Sequence, residues 1–166
     1  MEIEQTIGQT RVQVVSGGDI RTEEADALIT AINSTAVWNG QIDGAIRSVA
    51  GNLYHQQASA ALPLFNGETE VARGSRALHR GSFDHVVFVI DDLEWPLRKI
   101  IYAGLAAADR VGVRTVTIPG IRLGTMIGVY EDSFEEVYQE TEIGIVTYLK
   151  RNPGTNLRHV KYVLRD

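Results

Sequence analysis

The segment ADALITAINSTAVWNGQIDGAIRSVAG, residues 25–51, is the most informative part of the chain for its fold. Its first part, Ala25–Ile32, is mostly apolar and predicts a buried β-strand. Its last part predicts an amphipathic helix that begins near Asp43, with apolar residues at helical spacing: Ile46, Val49, Ala50 and Leu53. The loop between them is longer than the roughly 2 to 6 residues usual for such connections. A long loop rich in Gly and Asn indicates a binding function.

Strands and helices alternate along the rest of the chain. Apolar or alternating patterns predict further strands at residues 11–15, 85–90, 113–119 and 159–164. Helical spacing predicts a helix from Leu97 that ends before Gly112, and another from Phe134, with Ser133 and Glu136 as a capping box at its start. This order predicts an α/β domain with a mixed, largely parallel central sheet.

Length and composition restrict the class of protein. The 166 residues predict a single domain, 1–166, which needs neither metal nor disulfide to support its core. The formal net charge of −5 argues against nucleic acid held by bulk positive charge, and the absence of cysteine excludes disulfides and Cys-based zinc sites. Residues 1–12 lack the features of a signal peptide, and no apolar run approaches the roughly 20 residues of a membrane span. We therefore expect a cytoplasmic protein without membrane contact, cofactor or metal.

Two glycine-bearing loops follow predicted strands, and each leads into a helix. The first contains Gly40 and Gly44, and the second contains Gly120, Gly124 and Gly128. In parallel sheets such loops meet beyond the carboxyl ends of the strands, where free backbone N–H groups and helix N-termini suit a diphosphate. The sequence contains neither a Walker P-loop nor a GxGxxG turn. Glycine spacing alone leaves two interpretations open, namely ordinary turns and a phosphate-binding loop.

A resemblance to a known family rests on several motifs in order. GDI at residues 18–20, DALITAINS at 26–34 and IDGAIRSVAG at 42–51 resemble the opening block of the macrodomains, which bind ADP-ribose. GETEVARG at 67–74 and LAAADRVGVRTVTIPGI at 105–121 are similar to later segments of that family. The resemblance extends from about residue 14 to residue 164. It implies a three-layer α/β/α fold.

The resemblance also implies roles for individual residues. Asp19 would accept a hydrogen bond from the adenine amino group, although an Asp in this position also caps turns. Asn33 would contact the distal ribose, and Asp43 would lie near that ribose or simply cap the helix. The implied catalytic residues are Asn33 and Asp43. The implied ligand-binding residues are Asp19, Ile20, Asn33, Gly40, Gln41, Ile42, Asp43, Gly124, Thr125, Met126, Ile127, Gly128, Val129 and Tyr130.

The chain departs from the family pattern in both loops. In the second loop Met126 stands where a glycine is common and Glu131 where a proline is usual, which leaves the register of residues 124–130 open. Arg122 is an additional cation that either reaches a phosphate or is exposed to solvent. Trp38 either covers a ligand or packs on the protein surface. We expect His55 to be a surface or packing residue.

Three functions are compatible with these observations. The first is an ADP-ribosyl hydrolase that acts on mono-ADP-ribosylated protein or O-acetyl-ADP-ribose, with Asn33 and Asp43 as its catalytic residues. The second is a reader that binds ADP-ribose without chemistry. The third is a macrodomain-like fold that binds another nucleotide or a protein partner. For the first two, the expected partners are ADP-ribose or ADP-ribosylated protein.

Overall fold

In the computed structural model, which describes residues 3–38, 40–124 and 126–165, the chain forms seven strands and four α-helices. The strands are β1 (Glu4–Ile7), β2 (Thr10–Ser16), β3 (Ala25–Ile32), β4 (Thr69–Ala72), β5 (Phe83–Ile90), β6 (Thr115–Pro119) and β7 (His159–Leu164). The helices are α1 (Gln41–Ala50), α2 (Leu53–Ala61), α3 (Leu97–Arg110) and α4 (Phe134–Arg151). A 3-10 turn covers Arg76–Leu78.

The strands form one mixed sheet in the order β1-β2-β7-β6-β3-β5-β4. The five inner strands run parallel to one another, whereas β1 and β4 pair antiparallel at the two edges. The prediction of a mixed, largely parallel sheet is therefore confirmed. All five parallel strands end at the same edge of the sheet, and the loops after β3 and β6, which are neighbours, meet there.

Side chains of β3 show how the sheet separates two cores. Leu28 and Ile32 belong to a buried cluster that contains residues of α1 and α2. Ala27, Ile29 and Ala31 belong to a second cluster, which contains residues of α3 and α4. Because successive side chains point to opposite faces, a strand covered on both faces must be apolar at nearly every position. This arrangement confirms the three-layer α/β/α architecture.

The helix predicted from Asp43 differs from the observed one. The backbone turns at Gly51, where φ is 57°, so α1 ends at Ala50 and the apolar pattern continues across the break into α2. The α4 capping prediction is confirmed in part, because the Ser133 hydroxyl accepts a hydrogen bond from the backbone N–H of Glu136 at 3.1 Å. Among the described residues, no helix has the length and apolarity needed to cross a membrane.

Candidate functional site

Three of the predicted segments come together at the carboxyl edge of the sheet. The turn that contains Asp19 follows β2, and the backbone N–H of Gly18 donates to the carbonyl of Leu164 at the end of β7. The loops after β3 and β6 leave the sheet from neighbouring strands, since these strands pair directly. Residues separated by about 100 positions in sequence are thus neighbours at this edge.

The Asp19 carboxylate is held by Arg21. It accepts hydrogen bonds from the backbone N–H of Arg21 at 2.9 Å and from the guanidinium at 2.7 Å. The side-chain hydrogen bond from Arg21 is the main reason that the pKa of Asp19 lies below its usual value. The carboxylate is thus an ionised acceptor at the surface, for which a bound ligand must compete with Arg21. Ile20, beside it, is buried in the α1–α2 side of the core.

Asn33 begins the loop after β3 with a side-chain turn. Its Oδ1 accepts hydrogen bonds from the backbone N–H and the hydroxyl of Thr35, at 3.0 and 2.9 Å. The loop is fixed further by Ser34, whose N–H donates to Asp92 Oδ1 at 2.9 Å and whose carbonyl accepts from the N–H of Leu64. Both hydrogen bonds of the Asn33 side chain use its oxygen, so its amide donors remain uncommitted within the described part of the chain.

Asp43 is buried in the first turn of α1, with 3% of the residue exposed. Its Oδ2 accepts a hydrogen bond from the N–H of Gly40 at 3.1 Å, which closes the first loop onto the helix. Its Oδ1 lies 2.7 Å from Nε2 of His55 in the first turn of α2. Both carboxylate oxygens are therefore engaged, and Asp43 joins the loop to two helices.

His55 is the residue of this site that the sequence pattern did not identify. It is 1% exposed, and its ring packs edge-on against Phe88, with centroids 5.1 Å apart. Because a carboxylate accepts hydrogen bonds, Nε2 of His55 is the donor in this contact. The other ring nitrogen, Nδ1, is buried without a hydrogen-bond partner among the described residues. Of the two alternatives expected for His55, the packing residue is confirmed and the surface residue is wrong, and the buried ring also orients Asp43.

The second loop is folded onto itself by turn hydrogen bonds. The N–H groups of Ile127 and Val129 donate to the carbonyls of Gly124 and Met126, and the N–H of Gly128 donates to the carbonyl of Glu131 at 2.8 Å. The glycines are required at their positions, because φ is 84° at Gly124 and 91° at Gly128. Val129 and Tyr130 are exposed, and Thr125 lies outside the described residues.

The structure corrects both expectations for Arg122. Its side chain is 1% exposed, and its Nε and Nη2 donate to the two oxygens of Asp91 at 3.0 and 2.7 Å. Its Nη1 donates to Glu131 at 2.8 Å, and Nη2 donates to the carbonyl of Trp95 at the same distance. Arg122 therefore neither binds a phosphate nor meets solvent. Glu131 also accepts from the N–H of Leu97, so this network joins the second loop to the start of α3.

Trp38 packs, partly buried, against the α3–α4 side of the core. This position agrees with the packing alternative for Trp38. A cavity of about 470 Å³ adjoins the first loop at Ser34 and Thr35, and its wall includes Asp92 and Glu94. Two carboxylates disfavour a diphosphate there.

No group of three or more His, Cys, Asp and Glu side chains that could hold a metal ion occurs among residues 3–38, 40–124 and 126–165. The residues described above instead offer the backbone N–H groups at the N-terminus of α1, the Asn33 amide and the Asp19 carboxylate. These groups can bind a ligand that combines anionic oxygens, hydroxyl groups and a hydrogen-bond donor.

Comparison of sequences yields little. No protein-family model matches this sequence. An uncharacterized protein of Aeropyrum pernix is 27% identical over 122 residues, which cover 72% of this chain and 64% of that protein. The aligned part thus spans less than two thirds of the curated relative.

Comparison of structures identifies the fold. The macrodomain of Trypanosoma brucei, solved in complex with ADP-ribose, superposes with a TM-score of 0.76 at 20% identity, covering 93% of this chain and 64% of that chain. A variant of the Oceanobacillus iheyensis macrodomain superposes with a TM-score of 0.75 at 17% identity, covering 98% of this chain and 88% of that chain. Another variant of that protein, solved with ADPR, also gives a TM-score of 0.75. The chain has the macrodomain fold, which confirms the structural part of the resemblance.

Proposed function

We propose that this protein binds ADP-ribose, or a related ADP-ribosyl derivative, in the cleft between the loops after β3 and β6. The observation that supports this proposal is that, in a sheet with the macrodomain fold, the segment of Asp19 and the loops after β3 and β6 all follow parallel strands that end at one edge. The macrodomain of Trypanosoma brucei has been solved with this ligand.

Each part of ADP-ribose would have a matching group in this cleft. The adenine amino group would donate to the Asp19 carboxylate, and the distal ribose would accept from the Asn33 amide. The diphosphate would lie against the N–H groups of Gln41 and Ile42 at the start of α1, which have no partner inside the helix. Backbone dipoles at a helix N-terminus can hold a dianion without a basic surface, which is compatible with a net charge of −5.

The geometry favours binding without hydrolysis. A general base must reach the water that it activates. Asp43 is buried, and its two oxygens already interact with Gly40 and His55. In this arrangement the carboxylate fixes the shape of the first loop. We therefore propose that the protein is a reader of ADP-ribose rather than a hydrolase of ADP-ribosyl esters.

Calorimetric titration with ADP-ribose tests binding. We expect micromolar affinity, on the order of −8 kcal/mol. Asp19→Ala should weaken binding by roughly 1.5 kcal/mol, at the low end for a charged hydrogen bond because Arg21 already occupies the carboxylate. Glu24→Ala, which removes an exposed carboxylate further along the same connection between β2 and β3, is the matched control and should leave the affinity unchanged. The absence of heat at millimolar ADP-ribose would contradict the proposal.

A turnover assay on aspartyl- or glutamyl-linked ADP-ribosyl protein tests the absence of hydrolysis. The reader proposal predicts no release of ADP-ribose above the spontaneous rate. If the wild type released ADP-ribose and Asp43→Asn abolished the release while binding was retained, the protein would be a hydrolase with Asp43 in its chemistry.

A further inference from the structure

A groove of about 480 Å³ lies between α3 and α4, on their outer faces, and it contains none of the residues assigned to the ADP-ribose cleft. On one side it is lined by residues at the start of α3, and on the other by a stripe of α4 at helical spacing. The lining residues include Trp95, Lys99, Tyr102, Ile143, Thr147 and Arg151.

The floor of the groove exists because Gly144 has no side chain. A Cβ atom at Gly144 would lie 2.8 Å from the backbone oxygen of Arg98 and 2.8 Å from Cβ of Ile101. The two helices therefore approach closely at this point. Larger side chains on either side, including the 39% exposed Ile143, form the apolar walls.

The aromatic walls are held in place from behind. The Tyr102 ring packs edge-on against Tyr148, with centroids 5.1 Å apart, and the Tyr148 hydroxyl donates to Asp109 at 2.5 Å. The Trp95 ring lies directly against Gly67, and its backbone carbonyl is held by the network of Arg122. Rings fixed before binding lose little conformational entropy when a ligand arrives.

The groove is positively charged on a protein with a net charge of −5. The guanidinium of Arg98 is neutralised by Glu140 at 2.8 Å. The ammonium of Lys99 instead lies 5.6 Å from the centroid of the Trp95 ring, and Arg151 is exposed in the last turn of α4. Within the described part of the chain, neither Lys99 nor Arg151 has a carboxylate within ion-pairing distance.

We infer that this groove binds a small planar aromatic anion. Its volume falls within the roughly 300 to 1,000 Å³ of small-molecule sites, and it combines aromatic and apolar walls with a few charged groups, as such sites do. An aromatic ring packs against Trp95 and Tyr102, while an anionic group pairs with Lys99 or Arg151. An extended nucleic-acid strand needs a longer row of basic residues than the two unpaired cations of this groove. The net negative charge of the protein also disfavours such a strand.

A pair of probes of equal shape tests the role of charge. 2-Naphthoate carries the anion, and 2-naphthamide is its neutral counterpart. The protein has two tryptophans, so the indole N–H region of an NMR spectrum reports on the groove through Trp95 and on the first loop through Trp38. We expect 2-naphthoate to shift the Trp95 signal saturably, with a Kd on the order of 1 mM, and to leave the Trp38 signal in place. 2-Naphthamide should bind at least about fivefold more weakly.

Surface variants locate the site without disturbing the core. Lys99→Gln combined with Arg151→Gln should weaken 2-naphthoate about tenfold, since each exposed cation contributes modestly. Lys150→Gln, on the same turn of α4 but outside the groove, is the control and should bind as the wild type does. Thr147→Phe should fill the groove and abolish the Trp95 shift.

Three outcomes would overturn the inference. The first is equal binding of the two probes, and the second is wild-type affinity in the Lys99/Arg151 variant. The third is a thymidine oligonucleotide that shifts Trp95 at lower concentration than 2-naphthoate, which would assign the groove to single-stranded nucleic acid. None of these outcomes depends on whether ADP-ribose binds.

Discussion

Replacement of Arg122 by Met should destabilise the protein more than removal of any exposed cation. The guanidinium makes bidentate contact with Asp91, contacts Glu131 through Nη1 and donates to the carbonyl of Trp95. Methionine fills much of the same space but donates no hydrogen bond. Two carboxylates then stay buried without their cation, because Asp91 is 0% and Glu131 2% exposed.

The magnitude follows from this burial. Breaking a buried ion pair by removing one partner costs about 3–5 kcal/mol. Here two carboxylates lose the same partner, so the expected decrease in the free energy of unfolding lies in the upper part of that range. In the variant, the charge of Glu131 is still stabilised by the hydrogen bond that it accepts from the N–H of Leu97 at 3.0 Å. At about 2–4 °C per kcal/mol for a protein of this size, Tm should fall by about 8–20 °C.

Urea and thermal unfolding, followed by circular dichroism, measure this loss. Arg11→Met is the matched control, since Arg11 makes an ion pair with Glu4 in which both side chains are about half exposed. It should leave the free energy of unfolding within experimental error. Adding Glu131→Gln to Arg122→Met should restore part of the lost stability, because one uncompensated charge is removed. Equal effects of Arg122→Met and Arg11→Met would refute the reasoning.

Two further predictions concern the contact between α3 and α4. Burial raises the pKa of Asp109, but hydrogen bonds from Thr155, Tyr148 and neighbouring groups outweigh it and hold the pKa below its usual 3.8. The ionised carboxylate of Asp109 therefore contributes its full stabilisation to the folded protein above pH 3.8. This contribution is lost as the pH falls through the lowered native pKa. Asp109→Asn should lower the free energy of unfolding by about 1–3 kcal/mol at pH 7. In urea melts at a series of pH values, the free energy of unfolding of this variant should fall less steeply toward acid pH than that of the wild type. An unchanged decline would contradict this assignment. Gly144→Ala should cost about 1–3 kcal/mol, because its Cβ meets the backbone of α3. At Gly44 an added Cβ meets nothing within 4 Å, so Gly44→Ala should instead stabilise α1 by about 0.5–1 kcal/mol. Equal changes in Tm for the Gly144 and Gly44 variants would contradict the packing argument.

Much of the fold could be predicted from the sequence because it depends on local pattern. The bounds predicted for Ala25–Ile32 and His159–Leu164 agree with β3 and β7 to the residue. A strand covered on both faces has an apolar run that few other structures require. The four-residue strands β1 and β4 were missed, since a strand so short has too few alternations to distinguish it from a loop.

The order of the strands is also the reason that the loops after β3 and β6 meet. The sequence predicts strands that alternate with helices, and it therefore predicts that their loops lie at one edge. That β3 and β6 are neighbours follows from the tertiary structure, because β4 and β5 separate them in the chain. The ligand roles of Asp19, Asn33 and residues 124–130 remain predictions for the binding experiment.

The sequence by itself determined the longer strands and helices and the places where the glycine-bearing loops begin, whereas only the tertiary structure decided which charged groups meet. Asp43 and His55 lie 2.7 Å apart because the chain turns at Gly51 and brings the first turns of two helices together. Arg122 lies between Asp91 and Glu131, which come from two different loops. Hydrophobic periodicity carries no information about such contacts, since they depend on how far each loop bends and on which polar groups burial leaves in need of a partner.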